Sequence, residues 1–217
     1  MYPTYIWPSR QNGESMNRTI VVMGNGEVVV EPNMAVFQLS VITESESLSQ
    51  AQQQNSEIMT KVIQALVEAG IPSEQIQTIS YTVEPRYDYV EGKQIFRGFE
   101  VTNTISVKNK QLEQTGYLID LAVQNGVNRV SNVQFQVDDA DVFEKQALSN
   151  ALEDAVAKAS VLGRTMNTTI SSIPIRIKEF RSEGPVLYKT MAFSQAQTPI
   201  EPGQIIIQAT LEATFNY

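Results

Sequence analysis

The sequence predicts an α+β fold with mixed or antiparallel sheets, a long hairpin and packed helices. Three observations carry that expectation. Runs alternating apolar with polar residues recur along the chain, among them "AVFQLSV" at 35–41 and "QIIIQATLEATF" at 204–215. Two stretches, 46–69 and 141–163, instead place apolar or small residues at helical spacings of three and four. Between them, 76–107 reads as two alternating strands joined at "EGK".

A chain of 217 residues suits one large domain or two small lobes. The organisation expected is a flexible tail over 1–18 and a single domain over 19–217. The net charge of -8 repels phosphate backbones, and the 16 Lys and Arg are scattered, so no nucleic-acid partner is expected. The absence of Cys and His removes thiolate and imidazole chemistry, disulfides and the usual transition-metal ligands. Any catalysis would rest on carboxylates, Lys, Tyr or hydroxyls, and no cofactor, metal or catalytic residue is expected. No apolar run reaches the ~18 residues of a membrane span. The opening "MYPTYIWPSRQNGESMN" lacks a charged stretch followed by an apolar one, so a cytoplasmic location is expected. Its Tyr2, Tyr5 and Trp7 mark either a frayed end or a docking segment.

The first strand signals are "TIVVMG" and "EVVV", interrupted by Gly24 and Gly26. A dinucleotide fingerprint needs a third glycine where Val29 stands, inside a strand that Pro32 ends. The two glycines therefore point to a bulge or a close backbone approach. In the next strand Ala35, Phe37, Leu39 and Val41 share one face, with Gln38 and Ser40 opposite. The helix at 46–69 aligns Leu48, Ala51, Ile58, Val62, Ala65 and Ala69. Thr43 and Glu46 offer it a capping box, and Gly70 with Pro72 a stop. Asn55 lies on its apolar stripe, where bonding neighbouring backbone is preferred to a ligand contact.

The hairpin is aromatic, with Tyr81, Tyr87, Tyr89, Phe96 and Phe99. Bases stack on such a surface, but the acidic charge opposes that reading, leaving cross-strand packing or a subunit contact. A shorter helix follows, with Leu112, Ile119 and Ala122 on one face and a stop at Asn125–Gly126, then a strand at "NRVSNVQFQV". Asp141, with Glu144, begins the longest helix. Its row of Ala147, Ala151, Ala155, Ala159 and Gly163 invites close packing by the core or by a second subunit. Asp138, Asp139 and Asp141 could attract a divalent cation, but read as a solvated helix start. "ISSIPIRIKEF" sets Ile173, Ile175 and Ile177 on one side and Arg176 and Lys178 on the other. Residues 181–203 show no periodicity and are expected to form a flexible or partner-contacting loop that a protease cuts first.

In this order the motifs resemble the SIMPL-domain family, which includes bacterial periplasmic immunogenic proteins. The residues that carry the resemblance are "GNGEV" with Pro32 and Ala35, Asn55, "AGI" at 69–71, and "IQT" at 76–78 with Pro85 and Tyr87. "FEVTN" at 99–103, "NGVNRVSNVQF" at 125–135, the Ala-rich helix with Lys158, and "PIEPGQI" at 199–205 continue it. Asn33 and Phe99 depart from the family's usual Asp and Tyr. The resemblance implies an α+β fold, large ring- or channel-like homo-oligomers and no established enzymatic activity. It also implies links to stress tolerance and, in mammals, to a signalling kinase. The expected function is a non-catalytic, self-assembling scaffold or stress-related protein. The alternative is a small-molecule or peptide binding module using the hairpin at 76–107; an enzyme with carboxylates as acid and base ranks third.

Overall fold

A computed structural model describes residues 18–180, 186–188, 200 and 202–217. The expected tail, with Tyr2, Tyr5 and Trp7, and most of the expected 181–203 loop lie outside the described residues. In chain order the elements are β1 (Thr19–Val30), β2 (Met34–Ser45), α1 (Leu48–Glu68), β3 (Ile76–Val90) and β4 (Lys93–Asn109). They continue with α2 (Thr115–Gln124), β5 (Arg129–Gln136), α3 (Ala140–Thr165), β6 (Arg176–Phe180), β7 (Val186–Tyr188) and β8 (Gln204–Asn216). One sheet has the order β1-β8-β6, with β7 also on β8; the other has the order β3-β4-β2-β5. The α+β expectation holds.

The chain forms two compact units. The first takes β1 to Val28, α3 from Phe143, β6, and β8 from Gln208. Its core joins Val22 to Ala151, Ala155 and Ala159 of α3 and to Leu211, Ala213 and Phe215 of β8. β1 runs through both glycines, and both stand in close approach to α3. A Cβ on Gly24 would stand 2.0 Å from the Ala151 carbonyl oxygen, and one on Gly26 1.9 Å from that of Ala147. The Ala147, Ala151 and Ala155 part of the small-residue row is thus approached by β1 of the same chain, while Gly163 meets Ile170.

The second unit takes Val29–Val142 and Pro185–Ile207. Here β2 lies between β4 and β5, and α1 packs on β2 and β4. Phe37, Leu39 and Val41 meet Met59, Val62 and Leu66 of α1 and Leu118, Ile119 and Ala122 of α2 in its core. Asn55 is completely buried, and its amide donates to the carbonyls of Val41 at 2.8 Å and Val101 at 3.1 Å. It ties the helix to neighbouring backbone, as its place on the stripe predicts.

Two local expectations are corrected. No capping box forms: Ser47 is the N-cap without a side-chain bond. Thr43 belongs to β2, which runs on to Ser45, and its hydroxyl donates to the Ala51 carbonyl at 2.8 Å. Within 181–203, β7 pairs with β8 from Val186↔Ile206 to Tyr188↔Gln204, a strand too short to show alternation in sequence. Ile173, Ile175 and Ile177, placed on one side by their alternation, are 75%, 55% and 49% exposed. The alternation was legible there, but alternation does not say which face is covered.

Candidate functional site

Exposed apolar surface gathers on the hairpin of β3 and β4. The β2–β4 pairing ends at Ser45↔Phe99, while β3 and β4 continue paired to Val90↔Lys93. Residues 86–98 therefore project as a two-stranded arm, with no third strand beside them among the described residues. Its turn places Glu91 at φ 50 and Gly92 at φ 78, the two positive angles that let a two-residue turn follow the strand twist. Tyr87 opposes Phe96 across the ladder, with ring centroids 5.7 Å apart, and Phe96 meets Phe99 at 5.2 Å, both edge to face. These contacts do not cover the rings. Tyr87, Phe96 and Ile95 are about half exposed, and Tyr89 is 76% exposed.

Charges fix the base of the arm. Arg86 donates to Glu100 through Nε at 3.0 Å and Nη2 at 2.5 Å. That bond, and the charge of Glu100, raise the Arg86 pKa above its ordinary value, so Arg86 stays a cation. Arg97 lies 3.7 Å from Glu44 and 3.7 Å from Asp88. Glu44, Arg86, Arg97 and Phe99 help to line a hollow of about 200 Å³ at this base. These ion pairs tie the base of the arm to β2 and β4.

The larger concavity of this unit lies elsewhere. A groove of about 390 Å³ runs beside Phe135, Val137, Ile205 and Ile207, with Gln134 and Gln136 at its wall. The Asp138, Asp139 and Asp141 group does not converge on an ion site. The Asp138 carboxylate pairs with Lys110, and its backbone N–H donates to Asn33 Oδ1 at 2.8 Å. Among the described residues no three acidic side chains are grouped to hold a metal.

Sequence reasoning missed a polar seam in the first unit. β1 is an edge strand with β8 as its neighbour. Asn150, Asp154 and Lys158, spaced by four on α3, bond the β1 backbone at Glu27 O (3.1 Å), Asn25 N (2.8 Å) and Met23 O (3.0 Å). In sequence this polar row runs beside the alanine row, but nothing in it marks a backbone partner.

With the arm, the paired charges and the seam in place, the matches to known proteins can be weighed. The SIMPL family, described as a protein of unknown function, matches residues 20–215. The chain belongs to the SIMPL family. It is 30% identical over 148 residues to the 26 kDa periplasmic immunogenic protein of Brucella melitensis, covering 66% of this chain and 59% of that protein. It is 25% identical over 154 residues to the uncharacterized protein YggE of Escherichia coli, covering 71% of this chain and 63% of that one. The matches thus span about three fifths of these relatives' length. The expected cytoplasmic location is corrected by these SIMPL relatives, since the Brucella proteins are periplasmic by name. An opening without an export pattern was too little to place the protein. No helix among the described residues is long and apolar enough to cross a membrane.

Proposed function

We propose that this SIMPL protein is a non-catalytic, self-associating protein of the periplasm, and that the β3–β4 arm is its contact surface. The observation that carries the reading is exposure of Tyr87, Tyr89, Val90, Ile95 and Phe96 on one projecting hairpin, with Tyr81 exposed farther back on β3. Apolar side chains gathered on a protrusion gain more from a protein partner than from water. The paired arginines and carboxylates at the base favour a positioning role over catalysis, and the relatives' names favour the periplasm. A stress-related role fits such a protein but has no feature of its own on the arm.

Light scattering at micromolar concentration tests the assembly. The expected mass is a multiple of 24.2 kDa larger than a dimer. Replacing Tyr87, Tyr89 and Phe96 together by Ser is expected to lower it with little loss of monomer stability. A wild-type monomer would overturn self-association and favour the second reading, a small-molecule or peptide binder. That reading draws on the half-exposed Tyr87 and Phe96 of the arm and on the hollow at its base lined by Phe99, and ligand-dependent thermal stabilisation is its measurement.

A further inference from the structure

The two edges of the β1-β8-β6 sheet are treated differently. At β1, Asn150, Asp154 and Lys158 occupy backbone groups that an added strand would need. At β6, β8 is the one neighbour, and no strand lies along the opposite edge among the described residues. An open edge is a template for another strand, and proteins generally blunt edges that are not used. On β6 the register with β8 sorts the side chains. Ile177, with Glu179 after it, shares the face of Ala213 and Leu211, whereas Arg176 and Lys178 lie on the face of Thr214 and Glu212. Ile173 and Ile175 lengthen the exposed apolar stripe ahead of the strand.

We propose that the outer edge of β6 accepts an extended peptide segment that alternates apolar and acidic residues. Backbone pairing supplies the grip, and alternate side chains supply the choice. Apolar residues of the incoming strand would cover Ile175 and Ile177. Its carboxylates would face Arg176 and Lys178, of which Lys178 also lies 5.1 Å over the Phe180 ring and across from Glu212. A second copy of β6 is a poor occupant. Antiparallel self-pairing centred on Ile177 sets Arg176 against Lys178 of its partner, and like charges directly opposite are destabilising.

The probe is a fluorescent peptide alternating valine with glutamate, titrated by anisotropy into the full chain. Controls are a valine–lysine peptide and a valine–glutamate peptide N-methylated on alternate amides. The glutamate peptide is expected to bind, at least tenfold tighter than the lysine peptide, and N-methylation on the pairing edge to abolish binding. Arg176→Glu with Lys178→Glu should reverse the preference between glutamate and lysine peptides. These side chains are exposed, and an unchanged urea midpoint would show that the variant folds. No binding at millimolar peptide, equal binding of both charge types, or binding indifferent to N-methylation would overturn the proposal. So would a loss of self-association in the double variant, which would make a second copy the occupant. The Tyr87, Tyr89 and Phe96 variant should bind the glutamate peptide normally, so failure of the arm reading leaves this result readable.

Discussion

The ammonium of Lys158 donates to the Met23 carbonyl at 3.0 Å while it holds the Asp154 carboxylate at 2.6 Å. A single cation thus ends the β1 edge and anchors the acid that takes the Asn25 N–H. The bond from Lys158, and then that from Asn25, lower the Asp154 pKa below its ordinary 3.8.

That direction sets a pH dependence. A group whose pKa is depressed on folding adds stability that is fully present above its unfolded value and is lost as pH falls through its folded value. Asp154→Asn keeps an oxygen for Asn25 but loses the charge that faces Lys158. Urea midpoints should differ between wild type and variant at neutral pH, by less than about 1 kcal/mol because the pair is partly exposed. The difference should close as pH drops below 3.8. A difference that does not change with pH would mean the charge of Asp154 contributes nothing.

Gly24→Ala and Gly26→Ala should each destabilise the fold. The added methyl would meet helix backbone, which has no flexible end to yield, at 2.0 Å and 1.9 Å. Overpacking of this kind costs about 1–3 kcal/mol, read as a lower urea midpoint. An unchanged midpoint for either variant would show that α3 stands farther from β1 than these contacts require.

Much of the fold could be read in sequence because its strands and helices keep clean periods. Ala35, Phe37, Leu39 and Val41 are buried as their alternation requires, and Ala147 to Gly163 line the buried face of α3. Periodicity failed where it must choose between equivalent faces. Met59 and Leu66 of α1 are buried in place of the expected Ile58 and Ala65, one residue around the helix, because β2 and β4 set the rotation of α1. The seam of Asn150, Asp154 and Lys158 was hidden for a different reason. Its partners are backbone atoms more than 120 residues away in sequence, and no side-chain pattern marks a backbone partner. The arm was visible as an aromatic hairpin, but its exposure depends on where β2 ends.

Zinc and copper should not be retained. The chain has no His and no Cys, so imidazole and thiolate are missing, and its donors are mainly oxygens suited to harder cations, with Met thioether the one soft side-chain donor. Dialysis against a weak chelator followed by elemental analysis should return far less than one metal per chain. Stoichiometric zinc or copper would contradict the expectation.

Asn55 offers the sharpest test of the second core. Its amide nitrogen donates to Val41 O and Val101 O, while its Oδ1 is buried without a partner. Asn55→Ala removes the donor from two carbonyls beneath α1 and should cost about 1–3 kcal/mol. Asn55→Asp keeps the volume but replaces the donating amide with a carboxyl in an apolar site. Burial raises the pKa of such a group, so its charged form is penalised when the pH lies above its unfolded value. The aspartate variant should therefore lose more than the alanine variant at pH 7 and recover part of the loss near pH 4, where its neutral O–H can donate to one carbonyl. Urea midpoints of wild type and both variants at the two pH values decide it. If the alanine variant matched wild type, Asn55 would not be fastening α1 to the sheet. If the aspartate variant lost the same amount at both pH values, water would be reaching the site.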